Sequence, residues 1–285
     1  MIEGATADEA QRPGRMTRAI ALATALAVGA SSGATYAQTG TPGGEGQKLP
    51  FIRDAETEQL LRDYTIPILR AAGLAQQNVK VVIINDRSFN AFVADGHRIF
   101  VNAGALTEAT TPNQIIGVLA HETGHLAGGH LSKIHQELAN AQTASLVALL
   151  FGVGAIVAGA STHSSGTGDI AAAALSAPQE VIKRSLLAYV RAQEEQADRA
   201  SVKFLTATGQ SAKGMYDTFK RFADETLFSA HSVDPYAQNH PMPVERMAAL
   251  AELVKTPYWD KKDPPELQFR HDMMRAKLYG FTKMR

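Results

Sequence analysis

His121 and His125 stand four residues apart with Glu122 between them, in a stretch that opens Thr111-Pro112-Asn113-Gln114 and runs past Gly129. That spacing constrains the chain more than any other stretch. On a helix, residues four apart project from one face, so both imidazoles can reach a single metal ion. Glu122 then sits where it can take a proton from a metal-bound water. Chance alone produces so short a pattern in about one chain in a hundred of this composition. It therefore needs a helix, a third ligand and a supporting partner before it carries chemistry.

The helix is announced by several signals at once. Thr111 is a good N-cap, Pro112 suits the first helical position, and Gln114 completes a capping box. For the third ligand, Glu194-Glu195-Gln196-Ala197-Asp198 is the leading candidate. Glu194 and Asp198 share a helix face, so one can bind the metal while the other accepts a hydrogen bond from a ligand histidine. Acidic pairs at this spacing are also common on solvated helix surfaces, and only the histidine pair favours the ligand reading. A catalytic zinc keeps three protein ligands and one open position, a count that His121, His125 and Glu194 meet. His130 and His135 read as packing or surface residues.

Around these motifs the pattern predicts an α+β domain, mainly helical and zincin-like, with a small β-sheet or hairpin flanking the histidine helix. Leu60, Leu61, Tyr64, Ile68 and Leu69 recur at helical spacing from Asp54 to a terminator at Gly73, with Pro67 disturbing the last turns. Val79 to Ile84 reads as a buried strand. Asn90 to Val93 and Arg98 to Val101 flank Asp95-Gly96, the best hairpin signal in the chain. Residues 161–178 read as a mobile loop, followed by helices at about Pro178 to Thr208, 212–228, 243–254 and Glu266 to Tyr279. The uncharged stretch 144–160 reads as a buried helix pair, and a second reading makes it a peripheral membrane contact.

Domain boundaries follow from the N-terminus. Arg15 and Arg18, the apolar run Ala19 to Ala30 and Ala34-Thr-Tyr-Ala37 have the anatomy of a cleavable signal peptide, with a membrane anchor as the competing reading. Residues 1–37 are thus an extension and export signal, 38–50 a flexible Gly-rich linker, and 51–285 the folded domain. Lys plus Arg and Asp plus Glu number 28 each, which argues against a nucleic-acid partner recognised through a global basic field. The absence of cysteine excludes disulfides and thiolate ligands and is compatible with a periplasmic setting.

The paired motifs at 121–125 and 194–198 resemble those of the gluzincin peptidases, metallopeptidase family forty-eight, the family of the HtpX and prenyl-protein proteases. The likeness extends through Asn90-Ala91-Phe92-Val93, Gly117 to His125, Gly128-Gly129-His130, and His240-Pro241 with Arg246. It is strongest toward the periplasmic BepA-like branch. The resemblance implies one Zn2+ held by His121, His125 and Glu194, Glu122 as general base, and Asp198 behind a ligand histidine. It also implies His240 near the metal, able to occupy its open position, and Arg246 near the active site. Oxyanion charge would fall to zinc, helped by His240 or Arg246. The resemblance leads us to expect C-terminal tetratricopeptide repeats, which are absent from this sequence.

The expected activity is zinc-dependent hydrolysis of misfolded or unassembled envelope proteins, with an extended substrate pairing along Asn90, Ala91, Phe92 and Val93. The alternative is a chaperone-like assembly or quality-control factor, its proteolysis latent because His240 fills the open zinc position. A purely structural zinc site remains a third reading, although it has no use for a glutamate at position 122.

Overall fold

A computed structural model describes residues 50–140, 143, 167–228, 235–242 and 244–283 of the 285-residue chain. The expected signal segment, the linker up to residue 49 and the stretch 144–160 lie outside them. Strand β1 (Phe51–Ile52) leads into helix α1 (Ala55–Ala71), whose N-cap Asp54 accepts from the Thr57 N–H at 3.0 Å. Helix α1 buries Leu60, Leu61, Tyr64, Ile68 and Leu69, the stripe its periodicity predicts. Pro67 does not disturb it: the helix continues to Ala71 and closes through Gly73 and Leu74 N–H groups. Burial of Ile68 and Leu69, the two residues after the proline, offsets the roughly 3 kcal/mol a mid-helix proline costs.

Strands β2 (Lys80–Ile84), β3 (Ala91–Val93) and β4 (Arg98–Asn102) complete a sheet of order β1-β2-β4-β3. The hairpin forms as expected: β3 and β4 are antiparallel, with Phe92 opposite Phe100, and Gly96 lies between them. Strand β2 runs parallel to β4, pairing Lys80 with Arg98 through Ile84 with Asn102. Only Ile83 and Ile84 of β2 are buried, so the continuous apolar run overstated its burial.

Helix α2 (Ala103–Glu108) connects to α3 (Pro112–Gly128), the helix of the histidine motif. Gln114 Oε1 accepts from the Thr110 and Thr111 N–H groups at 2.7 and 3.3 Å, which supplies one half of the capping box. Helix α3 stops at Gly128, short of the expected run past Gly129. Gly129 adopts φ 62°, a left-handed cap, and helical structure resumes at His130.

Helix α4 (Thr167–Ala207) packs along α3 and carries Glu194 and Asp198. It begins well before Pro178, so residues 167–178 are helical rather than a loop. The Ala171–Ala174 run has the highest helix propensity available and outweighs the Gly and Ser content that suggested a loop. Helices α5 (Lys213–Phe228), α6 (Pro235–Asn239), α7 (Val244–Leu253) and α8 (Pro265–Lys283) complete the described domain. Almost all of α3 from Pro112 to Gly124 is buried, with α1 and the sheet on one side and α4 and α5 on the other. A mainly helical α+β domain with the small sheet beside α3 is therefore what the chain builds.

A candidate metal centre

Helix α3 presents a polar motif to the inside of the protein because its neighbours come unusually close. A Cβ on Gly124 would lie 2.8 Å from the Ala197 carbonyl oxygen of α4, and one on Gly117 would lie 2.5 Å from the Met215 Cβ of α5. Only glycine permits those two approaches. The first brings Glu194 and Asp198, on either side of Ala197, against the histidines.

Four donors converge there, from His121, His125, Glu194 and His240, all within 4.8 Å of one another. His121 Nε2 lies 3.1 Å from His125 Nε2 and 3.3 Å from Glu194 Oε2. His125 Nε2 is 3.4 Å from Glu194 Oε1. His240 Nδ1 approaches His121 Nε2 at 3.3 Å and Glu194 Oε2 at 3.1 Å. Zinc binds nitrogen and oxygen at about 2.0–2.2 Å, which puts adjacent corners of a tetrahedron roughly 3.3–3.6 Å apart. These five contacts, at 3.1–3.4 Å, are close to such an edge, and all four donors lie within 4.8 Å of one another. Two imidazole Nε2 atoms, an imidazole Nδ1 and a carboxylate also form a donor set that suits zinc.

Glu122 is buried beside this cluster, and its Oε1 and His240 Nε2 face each other at 3.4 Å without an aligned hydrogen bond. Both atoms are buried without a hydrogen-bond partner, next to the donor cluster. Burial pushes the Glu122 carboxyl above its usual range, against the pull of His240 and His121. A buried carboxyl with a raised pKa is suited to accept a proton and give it up again.

Behind the donors lies a second layer. His121 Nδ1 stands 3.1 Å from Asp198 Oδ1. Burial alone would lower the His121 pKa, but Asp198 and Glu194 raise it in the metal-free chain to about 9. His125 moves the other way, down to about 3, because burial outweighs Glu194. Arg246 sits across both carboxylates, with Nη1 2.9 Å from Glu194 Oε2 and the other donors on Asp198. Burial would raise Glu194, yet His240 and Arg246 hold it well below the usual carboxylate range. Arg246 Nη1 also donates to the Pro241 carbonyl at 2.9 Å, tying the His240 segment to the carboxylate pair.

The structure thus brings together His121, Glu122, His125, Glu194, Asp198, His240 and Arg246. It places Ala91, Phe92 and Val93 on β3, an edge of the sheet packed against α3, with Phe92 stacked on Phe100. Asn90 precedes that strand, and its side-chain oxygen accepts weakly from Asn239 Nδ2 at 3.4 Å. His130, which reads as a packing or surface residue in the sequence, is buried, with its Nδ1 3.0 Å from His125 Nδ1. The Gly128-Gly129 pair before it was the available signal. Among the described residues no helix is long and apolar enough to cross a membrane.

Comparison with known proteins agrees with this geometry. A profile described as Peptidase family M48 matches residues 53–254. The chain is 26% identical over 229 residues to a putative beta-barrel assembly-enhancing protease of Vibrio cholerae serotype O1, covering 80% of this chain and 45% of that protein. It is 21% identical over 199 residues to the beta-barrel assembly-enhancing protease of Escherichia coli K12, covering 70% and 39%. The Yersinia pestis protein of that name is 20% identical over 236 residues, covering 83% and 44%. The chain spans less than half the length of each of these relatives.

Proposed function

The chain belongs to peptidase family M48, and from that membership we propose that it is a zinc-dependent endopeptidase acting on misfolded or unassembled envelope proteins. The observation that carries the reading is the convergence of four donors within 4.8 Å of one another, with Glu122 buried beside them. His121, His125 and Glu194 would hold the ion, with Asp198 behind His121. When bound, zinc supplies Lewis acidity, acidifying water and polarising the scissile carbonyl. Glu122 accepts the proton of the attacking water and passes it to the leaving amine. Arg246 keeps both carboxylates ionised and fixed, so its donors are spent on positioning rather than on the oxyanion. An extended polypeptide pairs along β3, where backbone hydrogen bonds give affinity with little sequence preference.

The envelope setting is supported by the signal-like N-terminus and by relatives named for β-barrel assembly. A periplasmic location, unfolded clients and membrane contact through 144–160 belong to this proposal. A second reading is favoured by the position of His240 Nδ1, which completes a closed set of four donors. In that state the protein holds clients with its proteolysis latent.

The deciding comparison is wild type against Glu122→Gln on an unfolded polypeptide, with zinc content measured in both. Loss of cleavage with zinc retained supports the peptidase. Equal cleavage removes it.

A further inference from the structure

His130 is buried, lies five residues beyond His125, and is the nearest partner of that residue's second nitrogen. We propose that His130 is a positioning residue for His125, which it orients toward zinc through the Nδ1–Nδ1 hydrogen bond. The inference rests on the zinc site proposed above. His125 Nε2 faces the other donors, so a metal on Nε2 leaves the ring proton on Nδ1. That N–H donates to His130 Nδ1 at 3.0 Å, with the two rings edge to face at 85°. His130 then carries its own proton on Nε2, which faces Gln196 Oε1 at 3.4 Å. Gln193 Nε2 donates to the His130 carbonyl at 3.3 Å, so the helix that presents Glu194 also grips His130 on both sides of that ligand.

The backbone is shaped for this contact. Gly129, at φ 62°, turns the chain back after α3. A Cβ on Gly128 would lie 2.2 Å from His130 Nε2, so the imidazole occupies the space a side chain at 128 would take. The two ligand histidines are therefore oriented differently. Asp198 serves His121 with a charge, while His130 serves His125 with a neutral acceptor. His125 is the less enclosed of the pair, its side chain 13% exposed against 0% for His121, and packing alone holds it less firmly. Partners of this kind typically account for 10–100-fold in metal affinity.

The test uses the full chain, zinc affinity by chelator competition, and thermal unfolding of the metal-free protein. His130→Phe keeps a ring of similar size but removes the acceptor, and should weaken zinc binding about 10–100-fold. His130→Asn offers an oxygen near the Nδ1 position and should recover most of that loss. Gly128→Ala leaves His130 unchanged, improves helix propensity, and pushes the imidazole off His125. It should weaken zinc binding about tenfold, with a single cooperative melt of the metal-free protein showing that the domain still folds. Wild-type affinity in His130→Phe or in Gly128→Ala overturns the proposal, as does an Asn variant that binds no better than Phe. A wild-type chain that takes up no zinc would sink the site reading itself, and the inference with it.

Discussion

Arg246 grips the Asp198 carboxylate with two parallel bonds, Nε to Oδ2 at 2.8 Å and Nη2 to Oδ1 at 2.9 Å. All four groups of the Glu194–Arg246–Asp198–His121 chain are buried, so each charge depends on its neighbour. Removing one member of such a set strands the others in a low dielectric. Arg246→Ala should therefore cost about 3–5 kcal/mol of folding stability, read as a drop in the denaturant midpoint of the zinc-loaded protein. A shift well under 1 kcal/mol would mean that the carboxylates are held by something else.

His240 gives a prediction about activity. If its Nδ1 closes the donor set, His240→Ala should raise cleavage of an unfolded polypeptide, on the order of tenfold for each 1.4 kcal/mol of occlusion removed. Zinc affinity should fall at the same time, since one donor of four is gone. Slower cleavage by the zinc-loaded variant would assign His240 to the reaction and end the latch reading.

Gly124 predicts a coupling between helix packing and the metal. With the Ala197 backbone 2.8 Å from a would-be Cβ, Gly124→Ala must push α3 and α4 apart. Overpacking of this kind costs about 1–3 kcal/mol, and the shift also carries Glu194 away from the histidines. Scanning calorimetry should show a lower melting temperature, and titration calorimetry weaker zinc binding. Unchanged zinc affinity would show that the helix crossing and the donor set are independent.

His271 predicts a pH dependence remote from the metal. The Tyr64 hydroxyl donates to its Nδ1 at 3.1 Å, and its Nε2–H donates to the Ala109 carbonyl at 2.9 Å, an arrangement that suits the neutral ring. Burial lowers its pKa in the folded protein below the ordinary 6.5. The unfolded chain then binds the proton more readily, so the contribution of His271 is full above 6.5 and lost as pH falls through that value toward the folded pKa. Stability of the zinc-loaded protein should decline below about pH 6.5, and His271→Gln should flatten that decline. An identical slope in the two proteins would assign the pH dependence elsewhere.

Local rules read much of this protein correctly. The α1 stripe, the Asp95-Gly96 hairpin and the start of α3 appear in the structure where periodicity, turn chemistry and capping put them. They are legible because each depends on residues within one or two turns of chain. The misses share the opposite cause. Pro67 was overruled by burial of Ile68 and Leu69, and the residues before Pro178 were judged by composition although their alanines favour helix. His130 reads as a packing residue and is buried, while its contact with His125 depends on a left-handed turn and on an approach of helices that spacing does not reveal.

The sequence by itself determined the reactive groups: two histidines and a glutamate on one helix, and a glutamate–aspartate pair on another, because helical spacing alone puts each set on one face. Only the tertiary structure decided how those groups meet. Glycines at 117 and 124 let neighbouring backbones approach closely enough for α4 to deliver Glu194 and Asp198. Arg246 and His240 arrive from beyond the helix-turn level, and their positions set the charge balance and the closure of the site. Convergence of four donors within 4.8 Å of one another separates a metal site from a charged helix surface, and that convergence is a property of packing, not of spacing along a chain.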